Sequence, residues 1–173
     1  MPLVSRAPES YTVDYVEGEY ALKQTDPEYP NPLTVEIPGS YGNATLAVDA
    51  RLAEPTTDRL LLVGCRDDES NGTSGYVGLF DPNTGEAALG KIVARRIARL
   101  TDLEPADGFE LGDAMNHIEL TCTGDQITMS INGIEAASAN DSTYTDGSLW
   151  LGAVALSFEN LEARFGQLVV TQR

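Results

Sequence analysis

From Tyr11 to the C-terminus, apolar residues come in short runs broken by glycine, proline, asparagine or aspartate. Three runs alternate strictly. Over residues 45–52, Leu46, Val48, Ala50 and Leu52 oppose Thr45, Ala47, Asp49 and Arg51. Over 117–123, Ile118, Leu120 and Cys122 oppose His117, Glu119, Thr121 and Thr123. Over 126–132, Ile127, Met129 and Ile131 oppose Gln126, Thr128, Ser130 and Asn132. A period of two marks a strand with one buried face, because successive side chains of extended backbone point to opposite sides. Residues 60–66 are instead apolar nearly throughout, as expected of a strand covered on both faces.

Read this way, the chain predicts strands over 11–16, 20–23, 33–37, 45–52, 60–66, 76–80, 86–93, 95–100, 117–123, 126–132, 134–139, 148–156 and 161–171. Turn chemistry separates them: Pro38-Gly39, the run from Asp81 to Gly85, and Asp146-Gly147. Asn132-Gly133 is the strongest hairpin signal, since both residues tolerate the positive φ of a type I′ turn. Ile92, Arg96 and Arg99 also fit a helical spacing, but the surrounding strands predict a hairpin there. Residues 1–10 hold two prolines and no period, and read as a tail or edge extension. Residues 11–173 then form one all-β domain, a two-sheet antiparallel sandwich.

Charge narrows the functions. Acidic residues outnumber basic ones 27 to 11, for a net charge of -16. Nucleic acid and anionic membrane both call for a basic surface, so neither is an expected partner. No apolar run approaches the roughly 18 residues of a spanning helix, and residues 1–10 do not read as a signal peptide. Four of the basic residues, Lys91, Arg95, Arg96 and Arg99, lie close together. They could dock an acidic partner or another copy, or neutralise nearby carboxylates. Two cysteines and one histidine are too few for a structural zinc site.

The stretch from residue 63 onward carries a more specific pattern. It reads Val63-Gly64-Cys65-Arg66, Gly75-Tyr76 and Gly90-Lys91-Ile92, then Asn116-His117-Ile118-Glu119-Leu120-Thr121-Cys122-Thr123-Gly124. Ile131-Asn132-Gly133 and Asp146-Gly147-Ser148-Leu149-Trp150-Leu151-Gly152 follow, and Ala163-Arg164-Phe165-Gly166-Gln167-Leu168-Val169-Val170 closes it. This resembles the concanavalin A-like lectin/glucanase superfamily, the jelly-roll sandwich shared by laminin-G-like modules. In particular it is similar to extracellular modules of bacterial surface lipoproteins and receptor-type Ser/Thr kinases. The resemblance implies a jelly roll at the cell surface or outside the cell. It also implies that Cys65 and Cys122 pair; two buried free thiols are the alternative reading of the residues themselves. Laminin-G-like modules often hold calcium at the sandwich rim, and Asp67, Asp68 and Asn71 offer oxygens for it in one loop.

The superfamily includes glycanases, which need two carboxylates facing across a groove. No Glu-x-Asp-x-Glu or Glu-x-Asp-x-x-Glu occurs, and Asp49 and Glu119 each stand alone on a strand. There is no Gly-x-Ser-x-Gly elbow, and His117 is the sole histidine. The expected function is therefore a non-catalytic recognition module that binds glycan or protein. A structural or assembly domain is the second reading, and a glycoside-acting enzyme the third. The candidate ligand residues are the outward Asp49, Arg51, His117, Glu119 and Arg164, with Thr128 and Ser130 beside them. Trp150, Tyr76 and Tyr144 are the aromatics available as a platform, and Trp150 is the one expected to join the set.

Overall fold

The computed structural model describes residues 3–53, 59–68, 74–156 and 160–173. These form fourteen strands, with no helix among the described residues. Alternating segments place one apolar face inward, and two stacked antiparallel sheets bury those faces against each other. One sheet, here the β4 sheet, takes the order β1-β2-β14-β4-β10-β11-β12. Its strands are β1 (Tyr11–Val16), β2 (Glu19–Gln24), β14 (Glu162–Gln172), β4 (Ala44–Leu52), β10 (Asn116–Thr123), β11 (Gln126–Ile131) and β12 (Ile134–Asn140). The other, the β5 sheet, runs β3-β13-β5-β6-β7-β8. It contains β3 (Leu33–Ile37), β13 (Ser148–Ala155), β5 (Arg59–Asp67), β6 (Gly75–Asp81), β7 (Glu86–Val93) and β8 (Arg96–Arg99). A two-residue β9 (Glu104–Pro105), not expected from sequence, also pairs with β7.

The strictly alternating strands behave as their pattern requires. Leu46, Val48, Ala50 and Leu52 of β4 are buried, as are Ile118, Leu120 and Cys122 of β10 and Ile127, Met129 and Ile131 of β11. Leu61, Val63, Cys65, Leu149 and Leu151 meet them from the β5 sheet. Asn132 and Gly133 turn at φ 51° and 81°. The ambiguous stretch after β7 is a hairpin, with Ala94 and Arg95 at its tip. Cys65 and Cys122 form a disulfide, 57 residues apart in sequence, that ties β5 to β10 and so one sheet to the other.

The apolar run in β5 has a structural reason. Its inward residues join the main core, while Leu62 joins a second cluster on the outer face of the β5 sheet. Val77, Leu79, Ala88, Ile92 and Trp150 complete that cluster, with Leu103 packed against it. The strand also carries a bulge: Ser148 opposes Asp67 while Trp150 opposes Gly64, and Arg66 adopts φ 55°. A bulge re-aims the side chain at its extra residue. Arg66 is 1% exposed. Its Nε donates to Gly42 O at 2.9 Å, and its Nη1 to Gly124 O at 2.8 Å and Tyr144 O at 2.9 Å. One guanidinium thus fastens three loops at one end of the sandwich.

Ahead of β1, residues 3–10 contact the β5 sheet. Ser5 bridges Val35, and the Arg6 guanidinium reaches Glu36 at 3.1 Å and Asp67 at 3.5 Å. The Arg6 amide donates to the Tyr11 hydroxyl, which in turn donates to Thr34 O at 2.6 Å.

Candidate binding groove

Asp49, Arg51, His117, Glu119 and Arg164 do share one surface, the outer face of the β4 sheet. Register places them side by side: Asp49 opposes His117, and Arg51 opposes Arg164. They satisfy one another. Arg51 Nη2 lies 3.0 Å from Glu19 Oε2, and Arg164 Nη2 lies 2.6 Å from Glu162 Oε1. His117 Nδ1 is 2.7 Å from Asp49 Oδ1, and its Nε2 is 3.6 Å from Glu119 Oε1. Asp49 and Glu119 are therefore bridged by an imidazole rather than facing across open space.

This contact sets a pH signature. The Asp49 hydrogen bond raises the His117 pKa above 6.5; burial opposes it, and the charges of Asp49 and Glu119 add to it. A raised pKa stabilises the fold below the unfolded value, and that contribution is lost as pH rises through the folded value. In an NMR titration, the His117 ring signals should move with a midpoint above 6.5. Asp49→Asn should bring the midpoint down; an unchanged midpoint would refute the pairing.

Trp150 does not join this set. It stands on β13 in the β5 sheet, so it occupies the opposite outer surface of the molecule. Tyr76 and Tyr144 are not platforms either. Tyr76 is fully buried between the sheets, with its ring centroid 5.5 Å from that of Tyr144. The Tyr76 hydroxyl donates to Asp141 Oδ1 at 2.8 Å, and burial pushes its pKa up to about 12.

The loop carboxylates are also engaged. Asp67 accepts from the Ser74 amide at 3.0 Å and faces Arg6; burial nevertheless raises its pKa. Asp68 follows it, and Asn71 lies outside the described residues. No group of three or more His, Cys, Asp or Glu is placed to hold a metal ion among the described residues. Asp141 takes Lys91 Nζ at 2.7 Å. Burial pushes the Asp141 carboxyl up, but bonds from Lys91, Thr143 and Tyr76 prevail and hold it well below the usual range. Lys91 thus neutralises a neighbour as expected. Arg95, Arg96 and Arg99 do not: all three are exposed, and no ion pair reaches them among the described residues.

What the structure does assemble around Trp150 is a groove of about 320 Å³ on the outer face of the β5 sheet. Gly64 leaves room for the indole to lie against the sheet, while Gly152 makes room chiefly for Leu33 O of the neighbouring strand. A Cβ on Gly64 would run into the indole nitrogen, and one on Gly152 would sit 3.3 Å from the Trp150 ring. Leu62, Ile92 and Ile97 extend the apolar floor; Tyr29, Thr34, Asn31, Arg6, Asp67 and Arg95 line its margins. An apolar surface with a few convergent polar groups is the usual make-up of a small-ligand site, and the volume lies at the lower end of such sites. Sequence reasoning named Trp150, Asp67 and Arg95 in separate roles but did not bring them together into a groove. Its other walls come from residues 3–10, from the proline-rich loop after β2 and from the β7–β8 hairpin.

No family model and no curated protein sequence matches this chain. Solved structures do. The carbohydrate-binding module CBM66 from Bacillus subtilis aligns over 94% of this chain and 92% of its own, with a TM-score of 0.74 and 14% identity. The fold is that of the concanavalin A-like jelly rolls. An alginate lyase of polysaccharide lyase family 7 aligns over 95% of this chain and 83% of its own, with a TM-score of 0.64 and 15% identity. A Bacillus licheniformis β-glucanase aligns over 93% and 82%, with a TM-score of 0.67 and 16% identity. The same jelly roll thus frames a binding module in one neighbour and enzymes in others.

Proposed function

We propose that this jelly roll is a non-catalytic glycan-recognition module that works outside the cell, with its ligand in the Trp150 groove. The observation that carries the reading is the groove itself: the exposed Ile97 and half-buried Tyr29 stand beside a floor that includes the Trp150 indole, itself only 5% exposed, with polar residues at the margins. Sugar rings present one apolar face and a rim of hydroxyls, which matches an apolar floor with hydrogen-bonding groups at its margins. The folds of a carbohydrate-binding module and of glycan-acting enzymes support a glycan as the ligand class. The disulfide supports an oxidising compartment. Non-catalytic action is supported by the groove's chemistry. Asp67 is the one carboxylate lining it among the described residues, and that group already answers Arg6 and Ser74. Glycosidases of the usual kind need two carboxylates flanking the bond they cleave.

Trp150 is the chain's only tryptophan, so its emission reports the groove directly. A panel of soluble polysaccharides should contain at least one that binds saturably by calorimetry and shifts Trp150 emission, with no new reducing ends formed. Binding that leaves Trp150 emission unmoved would place the site elsewhere. Silence across the panel would favour a structural or assembly module instead.

A further inference from the structure

Three arginines with no carboxylate partner among the described residues stand out against the rest of the surface. In a chain of net charge -16, with 27 acidic residues, a free guanidinium has many possible partners. Arg51 and Arg164 each find a carboxylate, as does Lys91. Arg95, Arg96 and Arg99 crowd onto one short hairpin and find none among the described residues. Charged edge strands resist unwanted pairing, which accounts for cations on β8 in general. It does not account for where two of them point.

Register does distinguish them. Ile97 opposes Ile92 and Arg99 opposes Gly90. A Cβ on Gly90 would meet the Ile97 side chain, so this side of β8 continues the outer face that bears the groove. Arg95, at the tip, lines the groove itself. Arg96 alternates to the other side. The tip carries a second oddity. Ala94 and Arg95 both hold left-handed backbone, at φ 49° and 67°, where asparagine and glycine are the favoured residues of a two-residue hairpin. Keeping a long cationic side chain at a position that disfavours it suggests that the side chain serves a purpose.

We propose that the groove takes an acidic saccharide, one bearing a carboxylate or sulfate. Arg95, which lines the groove, and Arg99, on the same outer face beyond its lining, hold the anion, and the exposed Ile97 beside the buried Trp150 floor takes the apolar face of the ring. The inference rests on the glycan reading above and adds the ligand's charge. Arginine's planar fork suits bidentate bonds to such groups, which a lysine would make only as a point charge.

The test is calorimetry together with Trp150 emission, using three probes: a polyuronate, a sulfated dextran and a neutral glucan. The protein is compared with Arg95→Gln, Arg99→Gln and Arg96→Gln. All three substitutions lie on an exposed hairpin, and circular dichroism checks that each variant folds. One or both anionic probes should bind and shift Trp150 emission, the two arms separating carboxylate from sulfate. Arg95→Gln and Arg99→Gln should each weaken that binding about tenfold or more, and Arg96→Gln should leave it near the parent value. Equal losses in all three variants would reduce the effect to net charge and overturn the assignment. Neutral glucan binding that ignores Arg95→Gln would also overturn it, while leaving the glycan reading standing. Emission that no probe moves would remove both. Arginine-dependent self-association, read by sedimentation without saccharide binding, would replace the ligand with a second copy of the chain.

Discussion

Arg66→Leu should lower stability by about 3–5 kcal/mol, because it removes one buried cation that serves three carbonyls. Leucine roughly fills the space but donates nothing to Gly42, Gly124 or Tyr144. Each orphaned buried acceptor costs about 1–3 kcal/mol, and partial entry of water recovers some of that. For a chain of this size the loss amounts to a melting temperature lower by on the order of 10 °C. Arg66→Lys should fall between the two, since an ammonium cannot span Nε and Nη1 positions at once. Urea unfolding followed by circular dichroism gives the numbers. A leucine variant within about 1 kcal/mol of the parent would mean that the three carbonyls are readily solvated, and the loop-fastening role would be withdrawn.

Opening the disulfide should have an effect of similar size by a different route. The Cys65–Cys122 bond closes a long loop and constrains the unfolded chain more than it holds the folded one. The chain-entropy treatment gives about 4 kcal/mol for such a loop. Replacing both cysteines with alanine should therefore lower the urea midpoint. It should also raise the slope of unfolding free energy against urea, because the uncrosslinked chain exposes more surface. That second readout separates the two variants: Arg66→Leu moves the midpoint and leaves the slope alone. A cysteine-free protein with an unchanged midpoint would show that the bond contributes nothing to stability.

The elements that the sequence exposed most clearly are those with one buried face. β4, β10 and β11 follow from the period of two, and their turn follows from Asn132-Gly133, because one-sided burial writes itself into alternation. Alternation says which residues face outward from a sheet, but not which sheet a strand enters. That is why Trp150 could be grouped with Asp49 and Arg164. β13 and β14 are consecutive in the chain, yet the jelly roll sends them to opposite sheets. In β6 the pattern fails for another reason. Tyr76 and Phe80 enter the main core while Val77 and Leu79 enter the second cluster, so both faces of the strand are covered and parity no longer separates inside from out. Arg66 shows a third limit. A bulge adds one residue to β5 and turns the side chain toward the loops, and the apolar run around it gives no sign of the shift.

The hook at Arg6 separates two properties that usually travel together. Every strand of the sandwich lies at Tyr11 or beyond, but one wall of the groove belongs to a residue ahead of β1. A protease that cut between Arg6 and Tyr11 would leave the β framework whole while releasing the groove's Arg6 and freeing Glu36 and Asp67 from it. Such a clip would act as a modifier of recognition, changing the charge and width of the groove without unfolding the body that carries it.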